Sequence, residues 1–351
     1  LKAEDIRLLV EFAQSLEGRF MRMSNGDRYA RAGRTQRLFE YYFNNLSMIP
    51  EFKQYLVVDE ERNQPVGILD ESFMAEYGEP GTKFVMGGEI WRIIQVFRKK
   101  VYVRKEKDPL GAIPTWIGEE IPVPFEVAQE VGRLRKRFSE LRAGGLEEAH
   151  RKLAEELGAK EEVVRAAFAP VEEHLREGLA LPTHRRITVE RVGDLSVVNA
   201  CFGTLVNRTL GRLLAFRLSR DLGMTVAVTI DPYRIVIRSD SVEPADVVKV
   251  LQEGEDYERD LRELIEGSRF FRWRLAQVAR RMGILREEAE LTSSVLDRLV
   301  RSLKGTPAFE EAFKETSLKD LDFEKTLQVL EEIKRGKIEV VSLGKRSKPS
   351  P

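Results

Sequence analysis

Cysteine and histidine are scarce: Cys201 stands alone, and only His150, His174 and His184 join it in 351 residues. One thiol closes no internal disulfide, and so few thiols and imidazoles exclude the usual zinc clusters. Low cysteine use fits a reducing compartment, so the expected location is the cytoplasm. Two of the histidines lie on charged helical segments, where exposure is expected. No apolar run is long enough to cross a bilayer, and the first residues lack a signal-peptide pattern. Neither charge is in excess: Lys+Arg and Asp+Glu both number 58, so affinity for a polyanion has to come from local clusters. The phosphate loop GxxxxGK[ST] and the motifs GxGxxG, HExxH and GxSxG are all missing. No pair of carboxylates with a neighbouring base rises above the Glu-rich background. The residues therefore make no case for catalysis, a cofactor or a metal in this chain.

What is present describes a soluble globular chain, 42% hydrophobic and 33% charged, long enough for two or three domains. The expected class is α+β. KAEDIRLLVEFAQSL has helical spacing at Ile6, Leu9, Val10 and Phe12, and FMRMSNGDRYAR turns at Asn25 and Gly26. The helix TQRLFEYYFNNLS follows. Helix, hairpin, helix over residues 1–50 fits the back half of a winged-helix domain with its wing tip at 24–27, and equally an ordinary α/β corner. The chain opens on Leu1 with a helix under way and no initiator methionine, and it reads as a piece of something longer.

Residues 51–123 form the expected β-rich module. KFVM, IWRIIQVF and KVYVRK, separated by MGG and FRKK, predict an antiparallel meander. Residues 124–343 form the third expected domain. It starts with the basic helix VPFEVAQEVGRLRKRFSELRAGG, stopped by Gly144 and Gly145, and two further helices. The order β-β-α-β-β from HRRITVERV to YRIVIRSD then predicts an antiparallel sheet crossed by one helix. After Glu243 the chain turns helical until KIEVVSL. Residues 344–351, GKRSKPSP, are expected to be a disordered tail.

Basic residues gather in two places. Arg98, Lys99 and Lys100 occupy a hairpin turn, with Arg104 and Lys105 leaving the next strand. Arg133 and Arg137 share a helix face at i and i+4, with Lys136 adjoining. As clusters they suit a phosphate track; singly each suits a solvated surface. Arg272, Arg274, Arg280 and Arg281 make a third group, facing either nucleic acid or the Glu-rich helices around it. Gly203 with Asn207 and Arg208 opens a helix that either offers N–H groups to a phosphate or is capped by Thr204. Trp116 sits in the stiff loop PTWIGE, where an indole offers a sequence-tolerant stacking face or plugs the sheet end. Trp91 and Trp273 read as core.

VGILDESF at 66–73, PGTKFVMGG at 80–88, the strand opening at Ile90, Trp91 and Arg92, and PTWIGE at 114–119 occur in an order that resembles the large helicase-related (Lhr-type) superfamily 2 helicases. LPTHRRITVE, NACFGTLVNRTLGRLLAFRLS, FRWRLAQVARRM and the closing AFEEAFKETSLKDLDFEKTLQVLEEIKRGKIEVV resemble the same family's DEAD/H-associated C-terminal domain. The resemblance covers nearly the whole chain but not the two RecA-like motor domains. It implies an accessory region that follows the strand leaving the motor, with ATP and Mg bound by motor domains outside this chain. It also implies partnership with single-stranded DNA, or the DNA strand of a DNA/RNA hybrid, and with those motor domains. Stacking on a base maps to Trp116. A protein-interaction scaffold is the competing reading, and base-processing activity in the C-terminal half is a third that no residue demands.

Overall fold

The computed structural model describes residues 3–15, 21–23, 30–33, 36–44, 46, 54–108, 113–114, 121–286, 289 and 291–351. The chain starts with α1 (Ala3–Ser15), a ribbon of β1 (Met21–Met23) and β2 (Ala30–Ala32), and α2 (Gln36–Asn44). Next come β3 (Gln54–Asp59), β4 (Gln64–Asp70), α3 (Glu71–Tyr77), β5 (Lys83–Met86), β6 (Glu89–Phe97), β7 (Lys100–Glu106) and β8 (Ile113–Pro114). Helices α4 (Phe125–Leu141), α5 (Leu146–Leu157) and α6 (Glu161–Arg176) precede β9 (Arg186–Val192), β10 (Leu195–Asn199), α7 (Gly203–Leu222), β11 (Ala227–Asp231) and β12 (Arg234–Arg238). The remainder is α8 (Pro244–Glu253), α9 (Tyr257–Gly267), α10 (Arg269–Arg281), α11 (Ser293–Leu303), α12 (Pro307–Glu315), α13 (Phe323–Lys334) and β13 (Glu339–Arg346). The α+β class is as expected, with a helical C-terminal half.

Two compact units emerge: Leu1–Glu120 with Ile265–Thr316, and Ile121–Leu264 with Ser317–Pro351. This division cuts across the expected domain 124–343, because α10 and its neighbours group with the first unit. Side chains explain the grouping. Arg280 and Gln277 of α10 both bond Glu71 at the start of α3, at 3.2 and 3.1 Å.

The first unit holds a six-stranded sheet in the order β4-β3-β7-β6-β5-β8. Strands β5, β6 and β7 form the expected antiparallel meander. The sheet is nevertheless mixed, since β3 runs parallel to β7 and β5 parallel to β8. The departure begins at LDESF, where the strand reading included no helix: Asp70 accepts from the Phe73 N–H at 2.6 Å and caps α3. Alternate residues on the strands bury Phe84, Trp91, Ile93, Val101 and Val103 in one core, and Arg92 and Arg104 point to solvent. In the helical part of this unit Phe271 meets Phe309 edge to face at 4.8 Å, and Trp273 is buried, so both Trp91 and Trp273 are core.

The second unit holds a five-stranded sheet, β11-β12-β10-β9-β13. The β-β-α-β-β order makes the antiparallel sheet as read, and β13 adds itself parallel to β9. Leu210, Leu213 and Leu214 of α7 pack on Ile187, Val189 and Ile235. A separate cluster joins Phe138 of α4, Leu153 of α5 and Val164 and Val171 of α6. Gly203 begins α7 at φ +79, and a Cβ there would lie 2.6 Å from the Val123 carbonyl oxygen.

Two expectations fail in this unit. The tail 344–351 is ordered: β13 continues to Arg346, and Ser350 is buried. Its N–H and hydroxyl donate to Oε1 and Oε2 of Glu190 at 2.7 and 2.8 Å. Glu190 is itself wholly buried, and a carboxylate there requires donors. Arg346 and Lys348 add ion pairs to Glu177, and Lys348 also pairs with Glu173. The second failure concerns the histidines, since His150 and His174 are buried. His150 Nε2 lies 2.6 Å from Glu172 Oε1 with its ring against Phe138, and His174 Nε2 is 2.9 Å from the Ala180 carbonyl oxygen. Most of the charged residues that suggested exposure occupy the other faces of α5 and α6, but Glu172 is buried with His150.

Candidate nucleic-acid interface

The hairpin joining β6 to β7 turns through Arg98 and Lys99, with Arg98 at φ +53. Arg98, Lys99 and Lys100 are all exposed. Among the described residues no carboxylate lies within ion-pair distance of these three; the Arg98 guanidinium rests 5.4 Å from the Phe97 ring centre. Further along β7 the charges are shared. Arg104 pairs with Glu60 at 2.8 Å and Glu61 at 3.4 Å, and Lys105 pairs with Glu89 at 2.8 Å while lying over the Trp91 ring. Such exposed pairs contribute only about 0.2–1 kcal/mol, so a phosphate can compete for either cation.

Trp116 and Gly118 lie outside the described residues. The strand that leads to them is β8, which pairs Ile113 with Phe84 and Pro114 with Val85 at the edge of the sheet.

The α4 cations belong to the second unit. Arg133 pairs with Glu130 at 2.5 Å, Lys136 with Glu140 at 3.7 Å, and Arg137 makes a forked contact to Glu156 of α5. That fork holds the Glu156 carboxyl below its ordinary range and pushes the Arg137 guanidinium up. Two further groups join this cluster that the motif reading left unused. A Cβ at Gly132 would sit 2.3 Å from the His184 backbone nitrogen, so α4 runs against the LPTHRR segment there. Lys136 is one turn on from Gly132 and shares its face. Burial, then the charges of Arg133, Lys136 and Arg185, push the His184 imidazole below its usual value. The signal in the sequence was the basic run His184, Arg185, Arg186, although Arg186 is taken by Glu339 at 2.7 Å.

The other candidates are structural. The first two N–H groups of α7 are taken: Gly203 N–H donates to the Pro232 carbonyl and Thr204 N–H to the Val123 carbonyl, each at 3.0 Å. Nor does Thr204 cap the helix, because its hydroxyl accepts from the Val123 N–H at 2.9 Å. Asn207 is buried and donates to the Ala200 and Asp231 carbonyls. The third arginine group meets acidic neighbours: Arg272 pairs with Asp297, Arg280 with Glu71, and Arg274 and Arg281 with Glu315. Among the described residues no cluster of His, Cys, Asp and Glu is arranged to hold a metal, and no helix is long and apolar enough to cross a membrane.

The described residues form a mixed α+β fold with exposed cations, and comparison with known proteins gives its relatives. Residues 181–351 match the family model described as DEAD/H associated. The ATP-dependent helicase Lhr-Core of Sulfolobus acidocaldarius is 25% identical over 331 residues, covering 88% of this chain and 37% of that protein. That of Saccharolobus solfataricus is 24% identical over 342 residues, covering 88% and 38%. The solved structure of Mycobacterium smegmatis helicase Lhr bound to ssDNA and AMP-PNP shares the fold with a TM-score of 0.65 at 18% identity, over 100% of this chain and 42% of that one. Residues 181–351 are thus similar to a DEAD/H-associated domain, and most of the chain is similar to part of the Lhr-type helicases. It spans well under half the length of the relatives it matches.

Proposed function

We propose that this chain is the nucleic-acid-binding accessory region of an Lhr-type 3′-to-5′ DNA helicase. It follows the loaded single strand, or the DNA strand of a hybrid, and couples ATP hydrolysis by RecA-like motor domains to unwinding in DNA repair or recombination in the cytoplasm. ATP and Mg belong to those motor domains. The observation that carries the reading is the likeness of the whole chain to part of a helicase whose structure holds ssDNA. The exposed cations Arg98, Lys99 and Lys100, with no carboxylate partner among the described residues, supply a phosphate-binding turn on the sheet that also launches the Trp116 loop. In this reading Trp116 stacks on a base, a contact worth roughly 1–3 kcal/mol. Arg104, Lys105, Arg133, Lys136 and Arg137 exchange exposed carboxylates for phosphates.

Trp116→Ala is the test. Fluorescence anisotropy with a labelled oligo-dT should show affinity reduced by roughly 5- to 100-fold, the equivalent of that stacking energy. Unchanged affinity ends the stacking role. A docking scaffold is the second reading, favoured by one observation: α1 exposes Ile6, Leu8 and Leu9, and α2 exposes Phe39, Tyr42 and Phe43. Its occupant would be the RecA-like motor domains. Binding to oligo-dT that weakens with added salt supports the strand-binding reading, and no binding at low salt favours docking.

A further inference from the structure

The ribbon of β1 and β2 carries a pairing of like charges. Its antiparallel register sets Arg22 directly opposite Arg31. Directly opposed residues project from the same face with Cβ atoms about 4.5–5.5 Å apart, and like charges so placed destabilise a strand pair. Both arginines are exposed, and among the described residues neither lies within ion-pair distance of a carboxylate. Among the described residues the ribbon pairs at three positions, and a two-stranded ribbon has little cohesion of its own to offset the repulsion. The surrounding sequence, FMRMSNGDRYARAGR, holds four arginines and one aspartate in a chain whose total charge is zero.

We propose that Arg22 and Arg31 form a clamp for a phosphodiester of single-stranded nucleic acid, a site on the ribbon distinct from the β6–β7 turn. An anion seated between the two guanidinium groups removes their repulsion and accepts paired N–H donors from both. Arginine suits this geometry better than lysine, because its planar fork matches a phosphate in bidentate fashion. A phosphodiester is favoured over an acidic peptide because the inference rests on the nucleic-acid reading above.

Arg22→Glu makes the test sharp, since it turns the repulsive pair into an attractive one. The clamp requires affinity to fall without a loss of stability. Thermal unfolding of the full chain should be unchanged or raised. Affinity for labelled oligo-dT should fall by about 10-fold or more, and the slope of log K against log salt should shrink by about 1–2. Arg22→Lys should keep the salt slope, because the charge remains, and lose part of the affinity with the bidentate fork. The fold-loss caused by Arg22→Glu should be about the same for an abasic oligonucleotide as for oligo-dT if the backbone is what the clamp holds. Unchanged affinity and salt slope in Arg22→Glu, alongside wild-type binding, overturns the clamp alone. Labelled poly-glutamate losing affinity in that variant while oligo-dT does not would reassign the pair to acidic peptides and overturn the proposal. No wild-type binding to oligo-dT at low salt overturns the parent reading and the clamp together.

Discussion

Ser350→Ala isolates one hydrogen bond on which the second unit depends. Glu190 is wholly buried on β9, and its carboxylate has three short contacts. Oε1 accepts from Asn199 Nδ2 at 2.9 Å and from the Ser350 N–H at 2.7 Å, and Oε2 accepts the Ser350 hydroxyl at 2.8 Å. The alanine variant keeps the N–H and removes only the hydroxyl. Arg346 Nε, 4.0 Å from Oε2, is too far to replace it. A hydrogen bond to a charged, buried acceptor is worth about 1.5–3 kcal/mol. If opening of the sheet limits amide exchange, that loss speeds exchange of the β9 and β10 amides by roughly 10- to 150-fold. Hydrogen–deuterium exchange with mass spectrometry reads this directly, with exposed Ser347→Ala as a control expected to change nothing. Equal protection of peptides over 186–199 in wild type and Ser350→Ala would refute the reasoning. So would a wild-type tail peptide that exchanges at the rate of an unfolded chain.

Two further outcomes follow from buried charge. Burial and three neighbouring cations hold His184 below its ordinary value of about 6.5, so on acidification the unfolded chain takes up the proton first. Stability contributed by neutral His184 is therefore full above about pH 6.5 and declines below it, until the folded state is protonated too. His184→Gln should flatten melting temperature against pH between about pH 5 and 7, and parallel curves for the two proteins would contradict this. Glu71→Ala leaves the Arg280 guanidinium, 9% exposed, without its carboxylate, at a cost of about 3–5 kcal/mol. Urea unfolding followed by tryptophan fluorescence suits the measurement, because Trp91 and Trp273 are both buried in that unit. A midpoint unmoved by the substitution would show the pair to be dispensable.

Elements whose partners lie close in the chain were legible from the residues. Alternation in KFVM, IWRIIQVF and KVYVRK marks strands β5 to β7, and Trp91 falls on the buried face. The order of strands around α7 was equally readable, as was the glycine stop after α4, where Gly145 takes φ +117. Basic turns could also be located, since charge is a property of composition along the chain.

What those cations face could not be read. Arg137 finds Glu156 on another helix, while Arg98, Lys99 and Lys100 share a strand end with no acid among the described residues. The Arg22 and Arg31 pair needed the ribbon's register to become visible. Helix α3 was hidden because seven residues give too little periodicity to separate helix from strand. His150 and His174 looked exposed because charged neighbours dominate their segments, yet each sits on the buried face of its helix. The tail is the clearest case. GKRSKPSP has the composition of a disordered end, yet distant partners hold it, among them the carboxylate 160 positions away that binds Ser350. Sequence alone determined the local elements and the sites of charge, because periodicity and composition act between near neighbours. Tertiary structure decided which polar groups are buried, paired or open, because those energies depend on partners that only the folded chain brings together.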